Sequence, residues 1–283
     1  MRGRLVMLNV MLYELRRAIA RKKVIVLILV SLFFEVAIYM ALYLVPSKAV
    51  RVILIPLYPY MWAVGALLPQ SLLLHFLAIS IASGSMSEEY EQGTVDFFLT
   101  KPVTRLRFYA EKWLGSFALL AMIYGLMIGL SLTFSFSLFG AQADLSQLPE
   151  IVGLVLFSSL VFFSIAFSIG ELLRRSSLSF IISSSLLIGS ILISDVLVFI
   201  GKFTHSPEYI SIALSLPSWG ATQLPFLPLA QSQFKLFVEV LDIFPLTVGT
   251  LEEAVLSVSI YTAVPVLLSL LTFLRRDIPK RVS

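Results

Sequence analysis

The chain has 283 residues, 58% hydrophobic and only 13% charged, with a mean hydropathy of +0.95 and a formal net charge of +4. Soluble domains carry about 45–50% apolar and about 25% charged residues, so a soluble fold is excluded because it could not hide this much apolar surface. There is no cysteine, which excludes disulfides and thiolate chemistry.

Residues 1–23 are too polar to span a membrane. Leu8, Met11, Leu12, Leu15 and Ile19 recur at helical spacing, while Arg16, Arg17 and Arg21 fall elsewhere on the wheel. The pattern predicts an amphipathic helix in the headgroup plane, its cations toward anionic lipid. The apolar run that follows is too long for a signal-peptide core, and no small-residue cleavage pattern is present.

Val24–Val45 is the first predicted span, long enough for the hydrocarbon core of about 30 Å; Glu35 is its one charge. Residues 46–61 hold Pro46, Pro56 and Pro59 and read as a loop or a broken interfacial segment. Trp62–Met86 is the second span, with Pro69, Gln70 and His75 inside it. A polar stretch occupies 87–112. Trp113–Phe139 is the third span, Ile151–Leu173 the fourth, Leu178–Ile200 the fifth and Ala254–Leu274 the sixth. Arg174–Ser177 reads as a tight turn. Residues 201–253 carry five prolines and apolar pieces at Tyr209–Leu216 and Leu236–Phe244. Backbone in lipid must be hydrogen-bonded, so short helices at the surface or re-entrant against the bundle are expected there.

Six spans place both termini on one side. The N-terminus, the second-to-third connection, the fourth-to-fifth turn and the tail together hold 17 of the 21 Lys and Arg residues, leaving only Lys48, Arg51, Lys202 and Lys235 opposite. Basic residues favour the cytoplasmic side, so both termini and residues 87–112 are expected in the cytoplasm of a multi-pass protein of the plasma membrane. The predicted fold class is an all-α polytopic membrane protein: one transmembrane domain over 1–283, six transmembrane helices, an N-terminal interfacial helix and an external helical or re-entrant segment between spans five and six.

Catalytic patterns are missing. The only histidines, His75 and His205, are far apart, and there is no HExxH, no GxSxG and no carboxylate–histidine cluster for a metal. Gly201-Lys202 lacks the flanking residues of a phosphate-binding loop. Basic residues flank spans without interleaved aromatics, so nucleic acid is not an expected partner; membrane lipids are. Within the spans, Glu35, His75 and Asp195 are the polar candidates, and intramembrane ionisable residues mark ion or proton paths by default. A secondary transporter or channel using Glu35 is therefore the alternative function; a carboxyl turned inward onto a Ser or Tyr of a neighbouring helix is the plainer reading. Serines of the fourth and fifth spans suit close helix contact.

The stretch Ser87–Arg105, SEEYEQGTVDFFLTKPVTR, is the longest polar interruption in the first half. Ser87, Glu88, Glu89 and Glu91 continue the second span beyond the membrane. Gly93 breaks it, and Thr94 is placed to cap a short helix, Val95–Thr100, with Asp96 in its first turn. That helix exposes Phe97, Phe98 and Leu99, and Pro102 ends it. Thr104 then caps a new helix through Arg105, Arg107, Glu111 and Lys112 into the third span. Three large apolar residues at a membrane surface need cover from headgroups or from a groove on another protein.

Glu88-Glu89-Tyr90-Glu91-Gln92-Gly93-Thr94-Val95-Asp96-Phe97-Phe98-Leu99-Thr100-Lys101-Pro102-Val103-Thr104-Arg105 resembles the signature of type-2 ABC transporter permeases. Tyr13-Glu14-Leu15-Arg16-Arg17 resembles that family's N-terminal helix, Glu171–Ser177 its fourth-to-fifth turn and Phe273–Ile278 its C-terminal exit. Lys101 departs from the small or apolar residue more usual there. The resemblance implies that Val95–Thr100 is a cytoplasmic coupling helix seated on a separate ATP-binding subunit. It places Glu88, Glu89, Glu91, Gly93, Thr94, Phe97, Phe98, Leu99, Pro102 and Arg105 at the contact. It also implies a second permease chain as partner, ATP and magnesium held by the ATPase rather than by this chain, no enzyme site here, and export as the direction of transport.

Overall fold

The computed structural model describes residues 12–13, 16–17, 19–45, 47–69, 72–95, 103–228 and 249–276, and among them there are helices and no strand. In chain order α1 is Lys22–Tyr43 and α2 is Lys48–Leu54, followed by a 3-10 turn at Ile55–Tyr60. Then come α3 (Met61–Leu67), α4 (Leu73–Ser85), α5 (Ser87–Glu91), α6 (Arg105–Phe139) and α7 (Leu148–Leu173). The chain continues with α8 (Ser176–Phe203), α9 (Pro207–Leu214), α10 (Pro217–Gln223) and α11 (Leu251–Arg275). Five of them, α1, α6, α7, α8 and α11, are long and apolar enough to cross a membrane. The 35-residue α6 is the longest; at 1.5 Å per residue it runs about 52 Å, well beyond a hydrocarbon core of about 30 Å.

Within the predicted span Trp62–Met86, which contains Pro69, the structure has two helices rather than one. They are α3, which ends at Leu67, and α4, which starts at Leu73. Pro69 supplies the reason: it has no N–H for the Gly65 carbonyl, and its ring crowds the preceding turn. Both pieces nevertheless lie along α6, antiparallel to it. The Ser85 hydroxyl donates to the Lys112 carbonyl (3.3 Å), the Tyr124 hydroxyl to the Ala66 carbonyl (2.8 Å) and the Ser131 hydroxyl to the Trp62 carbonyl (2.9 Å). From Lys112 to Ser131 this register follows α6 for about 28 Å.

α4 is the centre of the bundle. It is apolar on every side, as a helix enclosed by others must be, and from Leu74 to Ser85 all but Phe76 are buried. α7, α8, α6 and α1 surround it. α4 and α7 run side by side in the same direction: the His75 ring meets Phe162 edge-on at 5.7 Å. A Cβ on Gly170 would lie 2.9 Å from the Ser83 carbonyl, so glycine sets that close approach. α7 in turn pairs with α11, where the Ser269 hydroxyl donates to Ser168 at 3.1 Å. Ser168 of the fourth span thus makes a small-residue contact of the kind expected. An aromatic seam of Trp113, Phe117 and Phe163 joins α6 to α7.

Basic side chains gather at one end of the bundle. At the opposite end Gly140 (φ 85°) closes α6, and the following loop ties back onto the start of α3. The Trp62 indole donates to the Ala143 carbonyl (2.8 Å), and the Ala143 amide to the Pro59 carbonyl (2.8 Å). α8 starts two residues and α11 three residues before their predicted starts: Ser176 and Ser177 belong to α8 rather than to a turn, because Arg174 in the left-handed region (φ 56°) and the extended Arg175 reverse the chain. α11 starts at Leu251 because Thr250 and Glu253 form a reciprocal capping box. In the predicted external segment α9 folds back on α8, and α10 packs on α7, α8 and α11 with Trp219, Ala221 and Gln223 buried. Leu236–Phe244 lie outside the described residues.

Candidate functional site: a polar hub at the basic end

α5 is only five residues long, SEEYE, yet its side chains reach elements on every side. Glu88 pairs with Arg21 (2.8 Å), Arg17 (3.7 Å) and Lys23 (3.7 Å), at the entrance to α1. Arg21 also donates to the Ile81 (3.1 Å) and Gly84 (2.9 Å) carbonyls near the end of α4. There its charge suits the negative end of the helix dipole. Glu89 is fully buried and bridges Arg17 of the N-terminal segment to Lys112 of α6, the latter at 2.5 Å. Lys112 is itself fully buried. Charges out of water are tolerated only when paired and hydrogen-bonded, and here one carboxylate holds two cations.

Tyr90 turns toward α7. Its hydroxyl donates to Glu171 (3.4 Å), and the Arg174 guanidinium lies 4.8 Å over its ring. Burial, and then the Glu171 carboxylate, push the Tyr90 phenol above its ordinary range, so it stays a protonated donor. Arg276, just past α11, approaches Glu171 at 3.6 Å. Glu91 accepts from the Ser176 amide (2.7 Å) and hydroxyl (3.3 Å) at the start of α8, where a carboxylate satisfies an orphan N–H and the helix dipole together.

Gly93 has φ 67°, a conformation that glycine adopts without strain. The turn it makes returns the Thr94 amide to the Glu89 carbonyl (2.9 Å), and the Thr94 hydroxyl donates to the Glu89 carboxylate. Phe97, Phe98, Leu99 and Pro102 lie outside the described residues. The chain re-enters at Val103. Thr104 caps α6 by accepting from the Arg107 amide at 3.3 Å, and Arg105 donates to the Leu274 (3.2 Å) and Arg276 (2.8 Å) carbonyls at the end of α11.

Sequence reasoning grouped Glu88, Glu89 and Glu91 as one acidic face for a partner. The structure corrects that for Glu89, which has no surface to offer. Glu88 is largely covered and Glu91 is exposed but engaged with α8. Arg17, Arg21, Tyr90, Lys112, Glu171 and Arg276 were missed as members of this cluster. The charges of Arg17, Arg21, Lys112 and Arg276 orient the chain, but nothing in the linear order says which acid each cation meets. The local pair Arg107–Glu111 (2.6 Å) follows from i,i+4 spacing alone.

The intramembrane candidates are not brought together. Glu35 is fully buried against Gly65 and Ser131, and neither carboxyl oxygen has a hydrogen-bond partner among the described residues. Beside it a hydroxyl chain clasps α3: Tyr39 meets Ser131 at 2.6 Å and the Met61 carbonyl at 2.9 Å, and Ser135 donates to Tyr39 at 3.0 Å. His75 lies on α4 next to Phe162 and the Ala221 backbone, short of a hydrogen bond with good geometry among the described residues. Asp195 sits half-exposed on α8, away from both. Among the described residues no group of three or more His, Asp or Glu could hold a metal.

Long apolar helices around a buried helical core, with an ionic cluster gathered at one end, define a multi-pass membrane protein. The family model described as ABC-2 family transporter protein matches residues 8–278, and the chain belongs to that family. It is therefore a transmembrane permease of the ABC transporter type, and permeases of this family generally work with a separate ATP-binding subunit. No curated protein matches the chain in sequence.

Proposed function

We propose that this permease is an exporter subunit driven by a separate ATPase that docks on the segment following α5, with two permease and two ATPase chains in the working unit. The observation that carries the reading is the reach of the hub. Glu88, Glu89, Tyr90 and Glu91 bind α1, the N-terminal segment, α6, α7 and α8, and Arg105 binds the end of α11. A displacement of 92–104 is thus delivered to the whole bundle rather than to the two helices adjacent in sequence.

Phe97, Phe98 and Leu99 are the proposed contact, with Gly93 and Pro102 setting its angle. The basic end is the cytoplasmic face, as the distribution of Lys and Arg supports. The antiparallel register of α3 and α4 along α6 supports a sixth, broken crossing; with six crossings both termini share one side, in this reading the cytoplasm. Export is the direction that the likeness of the four basic-end patches to type-2 permeases supports. ATP biases inward- against outward-facing states only through its differential binding to the two, so the hub must hold one arrangement in each state. ATP and magnesium belong to the partner, and the permease itself is not an enzyme.

The test is association. Phe97→Asp or Phe98→Asp abolishes co-purification of the ATPase while the permease still inserts; undiminished co-purification by both variants refutes the docking assignment. The alternative, a secondary transporter using Glu35, requires that Glu35→Gln alone stop transport with ATP turnover intact, and that transport follow a proton gradient.

A further inference from the structure

A second feature lies on the membrane flank and shares Arg105 with the hub. Between α6 and α11 is an apolar groove of about 340 Å³, walled by Leu106, Ala110 and Trp113 on one side and Ala263, Val266 and Leu270 on the other. Tyr109 closes its floor, donating to the Val266 carbonyl at 3.1 Å and packing edge-on against Phe167. From Leu106 to Leu114 the groove runs about 12 Å along α6, from the polar stretch into the start of the third span at Trp113.

The groove ends at the basic rim. Arg105 crosses its mouth to the carbonyls of Leu274 and Arg276, and no carboxylate pairs with it among the described residues. Arg275 is exposed on the same rim. Arg107 is there too, its charge matched by Glu111 at 2.6 Å. Apolar walls beneath a guanidinium that has no carboxylate partner among the described residues are complementary to an acyl chain below a phosphate.

We propose that this groove is a binding site for an anionic phospholipid of the leaflet at the basic end, one acyl chain between α6 and α11 and its phosphate on Arg105. Such a lipid bridges the helix that leaves the docking segment to the last helix of the chain. This assignment does not depend on the direction of transport or on the ATPase.

Tryptophan quenching tests it in the intact chain. Of the three tryptophans, Trp62 and Trp219 are buried and Trp113 lines the groove. The protein is reconstituted in phosphatidylcholine vesicles with increasing phosphatidylglycerol or phosphatidylcholine brominated at the same chain positions. Half-quenching is expected at about fivefold lower mole fraction of the glycerol lipid, the effect of roughly one basic residue near an anionic surface. Trp113→Phe should remove the difference. Ala110→Leu, which fills the groove, should weaken quenching by both lipids. Arg105→Gln should abolish the preference and Arg105→Lys, which keeps the charge, should retain it. Equal quenching by the two lipids, or a preference that survives Trp113→Phe or Arg105→Gln, overturns the proposal.

Discussion

Replacing Glu89 by glutamine keeps the shape of the hub and removes its central charge. Lys112 and Glu89 are both fully buried and 2.5 Å apart, with Arg17 on the same carboxylate. At an effective dielectric of about 20, two unit charges at that separation attract by roughly 6–7 kcal/mol; the desolvation that both ions have already paid sets the net value of the pair much lower. Breaking a buried pair by removing one partner typically costs about 3–5 kcal/mol, because the other charge stays buried without compensation. Glu89→Gln removes the buried carboxylate that Lys112 and Arg17 share, so a loss approaching about 3–5 kcal/mol is expected. Lys112→Met leaves Glu89 balanced by Arg17 and should cost about 1–3 kcal/mol. In the double variant the buried ammonium and the buried carboxylate are removed together, and Arg17 is free to turn toward water. It should therefore be more stable than the sum of the single losses predicts, with a coupling of about 2–3 kcal/mol. The assay is reversible unfolding of the four proteins in detergent micelles, followed by far-UV circular dichroism against denaturant. Single losses below about 1 kcal/mol that simply add would mean that these groups are hydrated and unlinked, and the hub reasoning would fail.

Further consequences are open to the same kind of measurement. Gly65→Ala drives a Cβ into the Glu35 carboxyl and Ser131, so a loss of about 1–3 kcal/mol is expected; Gly65→Ala combined with Glu35→Ala should recover part of it, whereas an unchanged midpoint for the single variant would show that α3 sits elsewhere. Thr250→Ala removes one half of the capping box and should lower stability by about 1 kcal/mol, read as a lower thermal midpoint that Thr250→Ser largely restores. Glu35→Gln should leave insertion and assembly intact, as gel filtration of the purified complex would show; loss of assembly would make this carboxyl a required structural charge.

Composition by itself determined that the chain lives in a membrane, because 58% hydrophobic residues cannot be covered by a soluble surface. Local chemistry determined two boundaries read from the sequence: Thr104 caps α6, and Gly93 turns where a positive φ is needed; the Thr250 cap that starts α11 before Ala254 came from the structure. The residues around Gly93 also carried the resemblance to the family to which the chain belongs. Two things needed the third dimension. Pro69 was visible in the sequence, but whether it bends or parts a helix depends on what packs around the freed carbonyls, and here α6 supplies Tyr124 and Ser131 to the flanking turns. The stretch Ser87–Glu91 reads as an acidic surface on paper. Only folding, which draws Arg17, Lys112, Glu171 and Ser176 to α5 across separations of 23 to 85 residues, makes it an interior junction, because a charge buried without a partner would cost more than the fold could sustain.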